Sequence, residues 1–495
     1  MLLFLAILPV LANSLVRVDI PNHPDAIATS GLGSTLTAPP TDGTPWRESP
    51  TPEPTHTETS EWTAKEAINV MGVKPWHEVG LDGSGVTIAV FDIQWFELEQ
   101  HPTLSTLPSH DCFAHRSCEL PIDTLYPQFA FETGKHGTAC AEVIQGIAPG
   151  ADIHLVRVNT LTALENAVDW AVREEIDLVS MSMSFFSESF YDGTGAINAA
   201  VDKLVDNGIL LVNSAGNYAK QHSKGWFNDP DNNGRHNFPW DSEYLPIYLP
   251  DGETKVSLTW DDYRRCGSTD FDAYIYDDAG DLVARSTKRQ QKDDDGCFPV
   301  ETLKVQSDEK GWHYLLIYRK AGRRSIQFKV MTRKGRVHEP IAEGSVTDPG
   351  SHPHAFTVGA VYSDGYRLNP VEGFSSQGPT EGGAQKPDIA GPDGLTTSVY
   401  GEAGFFGTSA ATPAVAATIA LMMSKYPELS PREAALRLQD SAISMDPVWS
   451  LPDPAIGAGK AHLPSLQESH TGCGQGTPLL MVLFWIPMAA IRRRN

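Results

Sequence analysis

Cysteine is scarce, with six in 495 residues, so the chain is no small disulfide scaffold. Positive charge is also short. Lys and Arg number 38 against 62 Asp and Glu, giving a net charge of −24. A field of that sign excludes nucleic acid as the main partner. Long apolar runs are missing: residues 1–12 and 479–491 are both short for a helix that crosses a bilayer. Charged residues make up only 20% against 41% hydrophobic, which excludes global disorder. What remains is a 53.9 kDa chain with enough apolar material for two to four domains of about 100–200 residues each.

The two ends read as targeting segments. Val10-Leu11-Ala12 closes the first apolar run with residues a signal peptidase accepts, although the first positive side chain is Arg17. Residues 1–13 are therefore expected to be a signal peptide, with a buried strand or helix as the alternative. Residues 14–60 are rich in Pro, Thr, Ser and Glu and read as an extended linker. The second apolar run is followed by Arg492-Arg493-Arg494 and preceded by Thr471-Gly472-Cys473-Gly474. Arginines in that place hold the end in the cytoplasm. The arrangement resembles the tripartite C-terminal sorting signals of bacterial surface proteins. Residues 471–495 are expected to be such a signal or a plain membrane anchor.

Between the ends the pattern is mixed. Val86-Thr87-Ile88-Ala89-Val90-Phe91, Ile153 to Val158, Leu178-Val179-Ser180-Met181 and Ile209-Leu210-Leu211-Val212 are apolar strands, with helical patterns at 161–174 and 195–207. Buried strands separated by helices predict an α/β fold, a parallel sheet with helices on both faces. Near residue 246 the period changes to two, in 255–260, 271–276, 312–317 and 325–330. That predicts an antiparallel β-sandwich over 246–336, inserted between an α/β part at 61–245 and its continuation at 337–470.

Three segments carry chemistry. Asp92 ends the first strand, where a parallel sheet binds ligands. His136 lies in Gly134-Lys135-His136-Gly137-Thr138-Ala139, whose small residues let a helix begin close to that edge. Ser409 lies in Gly407-Thr408-Ser409-Ala410-Ala411-Thr412-Pro413, opening an apolar helix. A serine becomes a nucleophile when a base takes its proton, and the base needs a third group to fix its tautomer. Asp, His, Ser is one of the chain orders that achieve this.

These motifs resemble those of the subtilases, the subtilisin-like serine peptidases, from about Glu61 to Leu245 and from Glu343 to Leu463. Asn213-Ser214-Ala215-Gly216-Asn217 is similar to the family's oxyanion segment. The resemblance implies a subtilisin-like fold, Asp92, His136 and Ser409 as the triad and Asn217 in the oxyanion hole. It also implies Ser180, Ser182 and Ser184 on the substrate-binding strand, protein or peptide substrates, and no required cofactor. Two departures stand out. Ile93-Gln94 follows the aspartate where the family has Thr or Ser and then Gly, and Ser180-Met181-Ser182-Met183 is followed by Ser184-Phe185-Phe186 where the family's strand ends in glycines. The function expected is an exported or surface-anchored serine endopeptidase; the alternative is a blocked subtilase scaffold that binds a surface partner.

Other features stay open at this level. Cys140 is a buried structural residue or a reactive thiol. Cys112 with Cys118, and Cys266 with Cys297, are candidate disulfide pairs. Asp229, Asp231 and Asn233 in Asp229-Pro230-Asp231-Asn232-Asn233-Gly234 match the first half of a calcium loop, against a solvated Asx turn.

Overall fold

The computed structural model of the chain describes residues 63–96, 98–113, 116–122, 134–264, 267–290, 298–322, 325–444 and 453–466. The segments read as signal peptide, linker and C-terminal sorting signal or anchor lie outside these residues, as does the Cys266–Cys297 pair. Among the described residues no helix is long and apolar enough to cross a membrane.

Seven strands form one parallel sheet. From one edge to the other they are Ile389–Asp393, Phe356–Tyr362, Leu210–Ser214, Leu178–Met181, Thr87–Asp92, Asp152–Arg157 and Ser109–Asp111. Alternate side chains of a strand face opposite ways. Ile88 and Val90 join one apolar cluster, with Ala139 and Ile144 of helix His136–Ile147 and Ala414 and Val415 of helix Thr408–Lys425. Ala89 and Phe91 join another, with Ala167 and Val168 of helix Leu161–Arg173 and Ile197 and Val201 of helix Ala196–Asp206. Both faces are therefore buried, which is why the strand carries no polar alternation. Successive strands are laid down on either side of Thr87–Asp92, so the sheet order turns back beside it, and Asp92 is its last residue. Such a turning point opens a crevice at the carboxyl ends of the strands.

Two antiparallel sheets follow the fifth strand of the parallel sheet in sequence. One holds Leu282–Ser286, Asp270–Tyr276, Gly311–Ala321, Tyr244–Leu249 and Arg336–Val337. The other holds Val300–Ser307, Gly252–Trp260, Gln327–Thr332 and His222–Trp226. Phe271, Ile275, Leu315 and Ile317 of the first share one apolar cluster with Val256, Trp260, Leu303 and Phe328 of the second. The antiparallel region thus begins at His222, earlier than the expected residue 246, and takes in Tyr244–Leu249. Its base is tied to the segment that follows it by a wholly buried Lys329. That ammonium donates to Gly344 O at 2.7 Å and lies 3.1 Å from Glu381, and burial lowers it to about 8 against the pull of the carboxylate.

Cys112 and Cys118 form a disulfide. Cys140 is a buried free thiol.

Candidate active site

Asp92 is fully buried at the end of its strand. Its Oδ1 accepts the backbone N–H groups of Ile93 at 2.8 Å and Gln94 at 3.0 Å. Backbone amides thus hold the carboxylate, so the turn works with Ile-Gln in place of the family's usual residues. Asp92 Oδ2 lies 2.7 Å from His136 Nδ1. The helix carrying His136 starts close to the strand end because its second residue is glycine. A Cβ on Gly137 would sit 2.8 Å from Asp92 Cβ and from the Trp95 ring. Gly137 N in turn donates to Gln94 O at 2.9 Å. Further along this helix the buried Glu142 accepts His101 Nε2 at 2.7 Å and the Ser398 N–H at 2.9 Å, tying the helix to two loops.

The His136 side chain is 21% exposed, and the edge of its ring meets Phe405 at 5.6 Å. Burial alone would lower the imidazole. The Asp92 carboxylate, with a smaller contribution from Cys140, outweighs it and raises the group well above the ordinary 6.5. A base must be neutral to accept a proton. Activity is therefore expected to fall as pH drops through a midpoint above 6.5, measured as kcat/KM against pH. A midpoint below 6 would contradict this reading of the Asp92–His136 pair.

Ser409 is the second residue of helix Thr408–Lys425, which is buried along almost its whole length. Pro413 stands four residues on and has no N–H, so it cannot take the Ser409 carbonyl in the helix. Two side chains take that place. Ser182 Oγ donates to Ser409 O at 3.0 Å, and Cys140 Sγ approaches it at 3.7 Å. The Cys140 sulfur also lies 3.9 Å from His136 Nδ1. Burial raises the thiol, against the pull of His136, so Cys140 is held as a neutral S–H.

Asn217 faces the start of the same helix. Its Oδ1 accepts the Thr408 N–H at 3.1 Å and the Thr408 hydroxyl at 2.9 Å. That fixes which way the amide points and leaves Nδ2 as the outward donor. Gly407 makes the approach fit: its φ is 95°, and a Cβ there would lie 2.8 Å from Asn217 Nδ2.

The predicted serines of the binding strand have separate fates. Ser180 Oγ is buried with no hydrogen-bond partner, Ser182 holds Ser409, and Ser184 lies near the Tyr218 hydroxyl. The triad candidates, Asn217, Ser182 and Ser184 thus gather at one crevice. The loop with Asp229, Asp231 and Asn233 is held in another way. Asp229 Oδ2 lies 3.0 Å from the Arg319 guanidinium and accepts the Gly234 N–H at 3.2 Å, while Asn233 Nδ2 donates to Asp231 at 2.9 Å. Asp229 Oδ1 is buried with no hydrogen-bond partner. Among the described residues, the acidic and sulfur or imidazole donors that come within 4.8 Å of one another as a set of three are those of Asp92, His136 and Cys140.

Sequence reasoning did not assign roles to Thr408, Tyr218 or Arg333. Thr408 sits inside the recognised serine motif, so a signal was available. For Arg333 there was none, because its place beside the crevice is set by the packing of the antiparallel sheets.

The subtilase family profile (Peptidase S8) matches residues 83–239 and 338–476, more than half of the chain. The chain belongs to the subtilase family. The profile match omits residues 240–337, which hold every strand of the two antiparallel sheets but His222–Trp226. Curated relatives of this subtilase include a thermostable alkaline protease of Halalkalibacterium halodurans, 26% identical over 184 residues, or 34% of this chain and 45% of that protein. The minor extracellular protease Epr of Bacillus subtilis is 27% identical over 176 residues, covering 32% of this chain and 24% of that protein. The chain thus spans under half the length of these relatives. Among solved structures, the Clostridium perfringens CspB protease aligns with a TM-score of 0.56 at 15% identity, over 81% of this chain and 97% of that one. At that identity the likeness supports the subtilisin-like fold alone.

Proposed function

We propose that this subtilase is a serine endopeptidase. Ser409 Oγ attacks a peptide carbonyl and forms a C–O bond while His136 Nε2 takes the hydroxyl proton. Asp92 holds the imidazole with Nδ1–H toward itself and balances the imidazolium. The oxyanion is held by Asn217 Nδ2 and the Ser409 N–H. Collapse breaks the C–N bond, His136 returns its proton to the leaving amine, and water then releases the acyl group by the same steps. The observation that carries this reading is the 2.7 Å contact between a fully buried Asp92 and a partly exposed His136.

The apolar first residues and the family's extracellular relatives support export. The arginine-ended C-terminal segment supports attachment at the cell surface, by a sorting signal or an anchor. The antiparallel sheets are proposed to be one inserted β-sandwich domain. All its strands but His222–Trp226 fall within the gap left by the family profile, and its two sheets share a core.

The test is a fluorophosphonate probe on the full chain, with peptide mapping of the label, followed by casein digestion. A label on Ser409 with casein cleavage is the expected result. A folded sample that takes no label would overturn the peptidase reading and leave the scaffold that binds a surface partner.

A further inference from the structure

We infer that Phe186, Tyr218 and Arg333 close the subsite for the side chain that precedes the scissile bond, confining cleavage to bonds after small residues. The inference rests on the peptidase reading and adds its substrate class.

The position of the subsite follows from the crevice. A carbonyl attacked by Ser409 must place its oxygen within about 3 Å of Asn217 Nδ2. Its own Cα substituent then faces the gap between two segments. One runs from Ser182, which holds the Ser409 carbonyl, to Phe186. The other is Asn217–Tyr218. Across that gap the Phe186 ring meets the Tyr218 ring nearly edge-on, 5.0 Å between centroids and 78° between planes. Rings at that spacing are in contact and leave no room for a third group between them.

Both rings are held from behind. The Tyr218 N–H donates to Ser376 Oγ at 3.0 Å, and its hydroxyl lies near Ser184. The Phe185 N–H donates to Asp348 O at 2.8 Å, fixing the backbone just before Phe186. The outer face of Phe186 is covered by Arg333, whose guanidinium carbon is 4.5 Å from the ring centroid. Arg333 directly follows strand Gln327–Thr332, and its N–H donates to Lys255 O at 2.9 Å, so its backbone belongs to the four-stranded antiparallel sheet. Among the described residues this guanidinium makes no ion pair, so the contact with the ring is not incidental to another bond. The antiparallel region thereby supplies a positioning residue to the cleft: Arg333 acts by keeping Phe186 against Tyr218.

The test uses the full chain and two peptide anilides that differ only in the residue before the scissile bond, Ala or Phe. Active enzyme is counted by fluorophosphonate labelling, so partial misfolding cancels within each variant. In the unmodified chain kcat/KM for the Ala peptide is expected to exceed that for the Phe peptide by about 100-fold. Phe186→Gly is expected to lower this ratio at least about tenfold, mainly through KM for the Phe peptide. Arg333→Ala is expected to lower it about threefold, and Arg333→Lys, which keeps a cation over the ring, to recover part of the loss. A wild-type ratio near one, or a ratio unmoved by Phe186→Gly, overturns the subsite while leaving the peptidase reading intact. Absence of labelling in the unmodified chain overturns both.

Discussion

Asp92→Asn is expected to lower turnover by about 10⁴-fold while the fold survives. The size of the effect comes from the tautomer of His136. In the native site Asp92 Oδ1 is held by the Ile93 and Gln94 amides, and Oδ2 faces His136 Nδ1. An asparagine keeps its oxygen on the two amides, because they are donors. Its NH₂ then faces His136, which must present a lone pair at Nδ1 and carry its proton on Nε2. That nitrogen can no longer accept from Ser409. Because the side chains have the same shape and the turn amides stay satisfied, thermal unfolding should change little. The loss should appear in kcat with a peptide substrate, together with an equally slowed fluorophosphonate reaction. The acid limb of the pH profile should also move down, since burial without the carboxylate lowers the imidazole. Turnover within tenfold of the unmodified chain would show that Asp92 does not set the tautomer.

Gly407→Ala has the second largest expected effect, about 10²–10³ in kcat. The new methyl would stand 2.8 Å from Asn217 Nδ2, the atom proposed to receive the oxyanion. The amide cannot simply slide back, because its Oδ1 is held by the backbone and hydroxyl of Thr408. The φ of 95° adds strain for any residue with a Cβ, on the order of 1–3 kcal/mol, visible as a lowered melting temperature. The decisive comparison is a double-mutant cycle with Asn217→Ala. If the methyl acts by moving the amide, Gly407→Ala should cost little more once the amide is gone. Additive losses in kcat would instead mean that Gly407 acts through the helix start, independently of Asn217.

Much of the fold was legible because the central strands are buried on both faces. Ile88 and Val90 go one way and Ala89 and Phe91 the other, so an unbroken apolar run was the correct signature. The antiparallel strands were legible where one face is polar, as in Gly252–Trp260. Two were not. His222–Trp226 lies at a sheet edge and carries His, Ser, Lys and Gly, with little apolar alternation to detect. Tyr244–Leu249 contains Pro246, which reads as a break; its carbonyl nevertheless accepts the His338 N–H at 2.8 Å. At the site, motif spacing brought Asp92, His136, Ser409 and Asn217 to notice. The roles of Ser182 and Cys140 follow from Pro413, a residue visible in the motif whose missing N–H leaves a carbonyl for others to satisfy. The contact between Arg333 and Phe186 joins two regions far apart in the chain and has no local signature.

The position of the antiparallel sheets also bears on how the chain folds. Asn217 and Thr408, which must meet to build the proposed oxyanion site, are 191 residues apart in sequence. Joining them through a disordered connection would mean closing a very long loop before any contact rewarded it. The base of the antiparallel region removes that burden. Thr332 N donates to Gln221 O at 3.0 Å, Val337 N to Lys220 O at 3.0 Å, and Ile341 N to His222 O at 2.9 Å. Once this region has formed around its own core, its entry and exit lie side by side, and the remaining loop between the two halves of the site is far shorter. Assembly of the proposed catalytic crevice is therefore expected to be a late event that waits on a structure outside it, and damage to that base should slow the appearance of activity more than it weakens the finished protein.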